Sequence, residues 1–142
     1  MTDRNRSLAI RWFEEVWNVR SEVIIDQMLG PEAVGHMEGT DVVGPAEFKK
    51  VRAQLLEAFP DLRVVVEATA ADGDNVVVRW NARGTHRGSG FGIEPTGTPV
   101  AFRGMTWFVM KAGRFVEGWD AWNQGGLVES LRATVRAKSD RR

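Results

Sequence analysis

Pro60 divides this chain into two rhythms. Before it, apolar side chains recur every three or four positions; after it, they recur every two. The first spacing marks one face of an α-helix, and the second marks a strand with one buried face. The rhythm changes once and does not alternate, so the chain lacks the pattern of a doubly wound parallel sheet. Helices grouped ahead of a meander of strands predict an α+β fold, with three N-terminal helices packed on a strongly curved, mostly antiparallel sheet.

Residues 5–18 carry Leu8, Trp12, Phe13 and Val16 at helical spacing. Ser21 reads as the N-cap of a second short helix, EVIIDQML, which Gly30-Pro31 ends. The segment 33–39, AVGHMEG, reads as a short edge strand. Gly44-Pro45 opens a third helix whose stripe is Phe48, Val51, Leu55, Leu56 and Phe59, and Pro60 stops it. Two strands then flank a turn at residues 72–75, a hairpin signal. The Gly- and Pro-rich stretch SGFGIEPTGTP is a long loop, either a mobile lip over a pocket or a plain connection. It does not lead from a strand into a helix, so it is no phosphate cradle. Two more strands turn at Ala112-Gly113, and QGGLVESLRATVRAK adds a short closing helix. Residues 132–142 read as a basic, solvated tail that frays.

The 142 residues suit a single domain, residues 1–142, with its core at about 5–131. Nineteen basic and nineteen acidic side chains cancel, which gives no general attraction to nucleic acid or an anionic membrane. There is no cysteine, hence no disulfide or thiolate chemistry. No apolar run approaches the ~20 residues of a membrane span, and the first ten residues lack a signal-peptide core, so a cytoplasmic location is expected. Six Trp and seven Phe stand against no Tyr, which points to apolar volume and stacking surface. A curved sheet wrapped around helices encloses a cone, and a binding site is expected inside it.

The polar residues with chemical potential are few. His86 shares strand parity with Val76, Val78, Trp80, Ala82 and Gly84, which places it on the buried face near the rim. It is either a cavity acid–base group or a structural histidine bonded to the following loop. His36 lies beyond the second helix, between Gly35 and Met37. No spacing motif joins the two histidines into a metal site. Asp120 is a carboxylate base or a surface charge beside Arg103 or Arg114. Asn123 donates to a ligand or caps the turn at Gly125-Gly126. On a regular strand Asp120 and Asn123 face opposite ways, unless a bulge at Gly118 intervenes. Glu117, at the parity of Trp119, is a further carboxylate. Trp119 and Trp107, with Met105, Phe48 and Trp80, are expected as cavity wall, and Arg79, Asn81 and Arg83 lie on the other face.

Phe59-Pro60-Asp61, Gly73-Asp74, Gly84-Thr85-His86, the Pro95-Thr96-Gly97 loop and a Gly-Arg-Phe-Val-Glu strand leading to Trp119 together resemble the SnoaL-like polyketide cyclases of the nuclear transport factor 2-like (NTF2-like) superfamily. The resemblance covers roughly residues 7–131. It implies an NTF2-like cone and a cyclase that closes a ring by intramolecular aldol condensation, with no metal and no cofactor. The family aspartate that commonly follows the last-strand tryptophan by four residues is replaced here by Asn123. The resemblance then leaves Asp120, if it points inward, as the base, with His86, His36 or Asn123 polarising the carbonyl oxygen. It implies a small hydrophobic carbonyl compound as ligand and a homodimer formed through the outer sheet face, with Arg79, Asn81 and Arg83 in the patch. A polyketide hydroxylase and a non-catalytic binder of hydrophobic ligands remain open on the same fold.

Overall fold

A computed structural model describes residues 2–140. Helix α1, Thr2–Trp12, buries Ala9 and Trp12 and runs into a π-helical segment, Phe13–Asn18, before α2, Glu22–Met28. The wider turn brings the adjacent residues Trp12 and Phe13 inward together with Val16. Asn18 ends it by gripping Val64: its Nδ2 donates to the Val64 carbonyl and its Oδ1 accepts from the Val64 N–H, both at 2.8 Å. Ser21 caps α2 as expected, its hydroxyl accepting from the Ile24 N–H.

Strands β1, Leu29–Met37, and β2, Thr40–Val43, form a hairpin ahead of α3, Gly44–Ala58. Strands β3, Arg63–Asp72, β4, Asn75–Thr85, β5, Pro99–Lys111, and β6, Arg114–Trp122, make an antiparallel meander. The sheet order is β2-β1-β6-β5-β4-β3, with β1 parallel to β6 and every other pairing antiparallel. The 33–39 segment is therefore not an edge. Thr40–Val43, too short to show a period, takes the edge outside it.

Alternation on β4 buries Val76, Val78, Trp80 and Ala82 against the helices and leaves Arg79 and Arg83 outside. Rings close the middle of the core: Trp12 meets Phe48 at 5.0 Å and Phe115 at 5.1 Å, and Phe115 meets Phe108 at 4.4 Å. Such ring pairs add to the burial of their own area.

The last helix, α4, spans Gln124–Asp140. The tail expected to fray from Arg132 is helical through Asp140, because Leu131 is buried and Val128 and Val135 pack on the core from the same face. Arg141 and Arg142, also assigned to the tail, lie outside the described residues. None of the described helices is long and apolar enough to cross a membrane.

Candidate active site

Between the helices and the inner sheet face lies a cavity of about 120 Å³. Trp12, Phe13 and Trp17 close it from the first helical stretch, and Phe48, Val51 and Leu55 close it from α3. Its floor is the inner face of the sheet, including Trp80, Phe102 and Trp122. No Lys, Arg or His among the described residues lines it. The polar lining comes from Thr106, Asp120, Gln124, Glu38 and the border residue Glu117.

Asp120 reaches this interior through a shift of register. Pairing of β5 with β6 slips between Val109 and Met110, so that Met110 faces Phe115 while Val109 faces Glu117. Beyond that bulge the ladder is regular to Trp122. Phe115 stays inside, Gly118, Asp120 and Trp122 follow on the inner face, and Trp119 goes out. The irregularity precedes Gly118 rather than falling on it.

The Thr106 hydroxyl, directly across from Asp120, donates to its Oδ1 at 2.5 Å. Thr106 in turn accepts the indole N–H of Trp80 at 3.0 Å. Among the described residues no donor engages Asp120 Oδ2. Removal from water raises the carboxyl above the usual aspartate range, and the Thr106 bond pulls the other way. A carboxylate in an apolar chamber, with one oxygen tied and the other free, can take a proton from a bound carbon acid and return it.

The other expected site residues lie elsewhere. His86 is fully buried but does not line the cavity. Its Nδ1 lies 2.9 Å from the Thr96 hydroxyl and accepts the Thr96 N–H at 3.2 Å, while its backbone bonds Thr98 and Gly97. Burial lowers its pKa, which favours neutral imidazole. Its geometry is that of the loop-holding histidine. Loop 86–98 is also no lip over the cavity, for none of its residues lines it. It lies on the end of α3, so closely that a Cβ on Gly88 would sit 1.8 Å from the Glu57 carbonyl oxygen.

His36 stands on the outer sheet face. Its Nδ1 lies 2.9 Å from Asp41 Oδ1, its Nε2 lies 2.7 Å from Glu117 Oε2, and its ring stacks on Trp119 at 5.2 Å. The two carboxylates, Glu117 first, raise its pKa. The two histidines thus fall on different faces and do not meet. Trp107, Trp119 and Met105, expected as wall, are each 42–50 % exposed on the outer face. Strand β5 carries apolar residues on both faces, so ring content alone could not decide which side is inside; Arg103, which shares parity with Met105 and Trp107, was the available signal. Phe48 and Trp80 do line the cavity.

Asn123 follows the end of β6 and is exposed, its Oδ1 accepting the Gly126 N–H at 2.9 Å to cap the start of α4. It does not line the cavity; the next residue, Gln124, does. Sequence reasoning missed Gln124, whose only signal was its place immediately after the last strand.

A family model described as SnoaL-like polyketide cyclase matches residues 7–131. No curated protein matches significantly. Among solved structures, a protein assigned as a SnoaL-like polyketide cyclase from Jannaschia sp. CCS1 is 26 % identical with a TM-score of 0.84, covering 92 % of each chain. AclR of Streptomyces galilaeus, assigned as a hydroxylase, is 27 % identical with a TM-score of 0.82, covering 94 % of this chain and 98 % of AclR. A Catenulispora acidiphila protein of ketosteroid isomerase-like fold, at 13 % identity and a TM-score of 0.69 over 82 % of this chain and 85 % of its own, shares the fold alone. With 125 consecutive residues matched and the cone in place, this chain belongs to the SnoaL-like polyketide cyclase family.

Proposed function

We propose that the protein is a cyclase-type acid–base enzyme acting on a small, largely apolar carbonyl compound held in the cavity. Asp120 takes a proton from the carbon beside a carbonyl. The resulting enolate carbon attacks a second carbonyl of the same molecule, a carbon–carbon bond forms, and the new alkoxide receives the proton back. Gln124 is the amide placed to donate to a carbonyl oxygen. The observation that carries this reading is the free Oδ2 of Asp120 in a chamber otherwise walled almost wholly by rings and aliphatic side chains. A chamber without a carboxylate would have favoured a binder that only holds its ligand.

The test is loss of deuterium from the acidic carbon of a β-keto ester probe, followed by proton NMR. Asp120→Asn should slow the catalysed exchange by about a hundredfold or more while leaving probe affinity nearly unchanged. An unchanged exchange rate would remove Asp120 as the base. The resemblance to AclR favours a second reading, oxygen-dependent hydroxylation. Substrate-dependent oxygen consumption would replace the first reading with it. We also propose a homodimer formed through the outer sheet face, where Met105, Trp107, Trp119 and Val65 leave apolar surface uncovered.

A further inference from the structure

Trp80 and Thr106 have no part in binding or releasing the proton, yet their geometry fixes how Asp120 is presented. An indole N–H can only donate, so one lone pair of the Thr106 oxygen is committed to Trp80. The single hydroxyl hydrogen of Thr106 is then directed across the β5–β6 ladder to Asp120 Oδ1. That leaves Oδ2, on a residue that lines the chamber, as the oxygen without a donor among the described residues. The indole can lie across the sheet because Gly104, its cross-strand partner, has no side chain. A Cβ there would stand 2.7 Å from Trp80 Cζ2, 2.7 Å from Trp122 Cβ and 2.6 Å from the Ala121 carbonyl oxygen.

We propose that Trp80 and Thr106 are positioning residues forming a directed hydrogen-bond relay that stabilises the anionic, proton-accepting form of Asp120 against its burial and selects Oδ2 as the reactive oxygen, with Gly104 as the notch that admits the relay. This rests on the reading of Asp120 as the proton-transfer group. Among the described residues no Lys, Arg or His lines the cavity to compete for the role. The charged groups bordering the cavity are Glu38, from the turn between β1 and β2, and Glu117, from β6; α1, the π-helical segment and α3 bring only apolar side chains to it. Glu117 is already held by His36 on the other face. A hydrogen bond from a fixed dipole is thus the stabilisation available to the anion.

The experiment is a carboxyl-carbon NMR titration of Asp120 in the full chain, free of ligand, compared across variants. Thr106→Val, which keeps the shape and removes the hydroxyl, should raise the Asp120 midpoint by about one to two pH units. Thr106→Ser, which keeps the hydroxyl, should stay within about half a unit of wild type, and Trp80→Phe should raise the midpoint by less than Thr106→Val does. Thr106→Ala supplies the same comparison if valine packs poorly. The amide spectrum away from β4, β5 and β6 should stay unchanged throughout, which separates a local relay from general loosening. A Thr106→Val midpoint equal to wild type, a Thr106→Ser shift as large as that of valine, or an unmoved Trp80→Phe midpoint would each overturn the relay. This readout does not depend on turnover. A shifted midpoint alongside full exchange activity in Asp120→Asn would discard the proposed function and keep the relay, and the reverse pattern would do the opposite.

Discussion

A histidine titrates according to what surrounds it, and the two in this chain are driven in opposite directions. His36, between Glu117 and Asp41, holds its proton to a higher pH than the unfolded chain does. Its contribution is complete below about pH 6.5 and is lost as the pH climbs through the folded midpoint. His86, stripped of water, is kept neutral; its contribution is present above about pH 6.5 and is lost as the pH falls toward its lowered midpoint. The melting temperature should therefore decline on both sides, and His36→Gln should flatten the alkaline limb while leaving the acid limb in place, as read by thermal unfolding from pH 5 to 9. An unaltered alkaline limb would detach His36 from that decline. The burial of His86 was legible in strand parity. Its distance from the chamber was not, because that depends on Thr96 folding back over ten residues of loop. The inward face of Asp120 was equally hidden, since it follows from a bulge between Val109 and Met110 that no residue type announces.

At the scale of elements, the helices and the meander were readable because each buries one face and so repeats at its own period. What escaped was set by pairings between segments far apart in sequence. The four residues of β2 offer no period, and their place is fixed by antiparallel pairing to β1. The long 86–98 loop reads as mobile from its glycines, yet two of them serve close packing. A Cβ on Gly90 would come within 2.0 Å of the Gln54 carbonyl oxygen, matching the approach of Gly88 to Glu57. Backbone cannot give way as a flexible side-chain end can. Gly88→Ala should thus destabilise the fold by about 1–3 kcal/mol in chemical denaturation. Since the loop stays clear of the cavity, exchange of the β-keto ester probe per folded molecule should be unaffected; a selective loss of exchange would restore the loop to the site.

Over the whole molecule, the sheet has one face turned to the helices and one turned away, and both carry large apolar side chains. Trp107 and Trp119 meet edge to face at 6.3 Å on the outer side, half exposed. Covering them with a second copy buries that surface without adding any charge, in a chain whose net charge is zero. Sedimentation equilibrium at micromolar concentration should report twice the chain mass, and Trp119→Asp should shift it toward the single chain. A wild-type monomer would exclude the dimer. The parallel pairing of β1 with β6 has a consequence of another kind. Ribosomes deliver a chain from its first residue onward, and the strand that anchors His36 through Glu117 arrives 81 positions later. Until Phe115 emerges, Trp12 and Phe108 lack a ring partner they meet in the finished protein. Nascent chains halted before β6 should accordingly be sticky and chaperone-bound, and the chamber is among the last things synthesis completes.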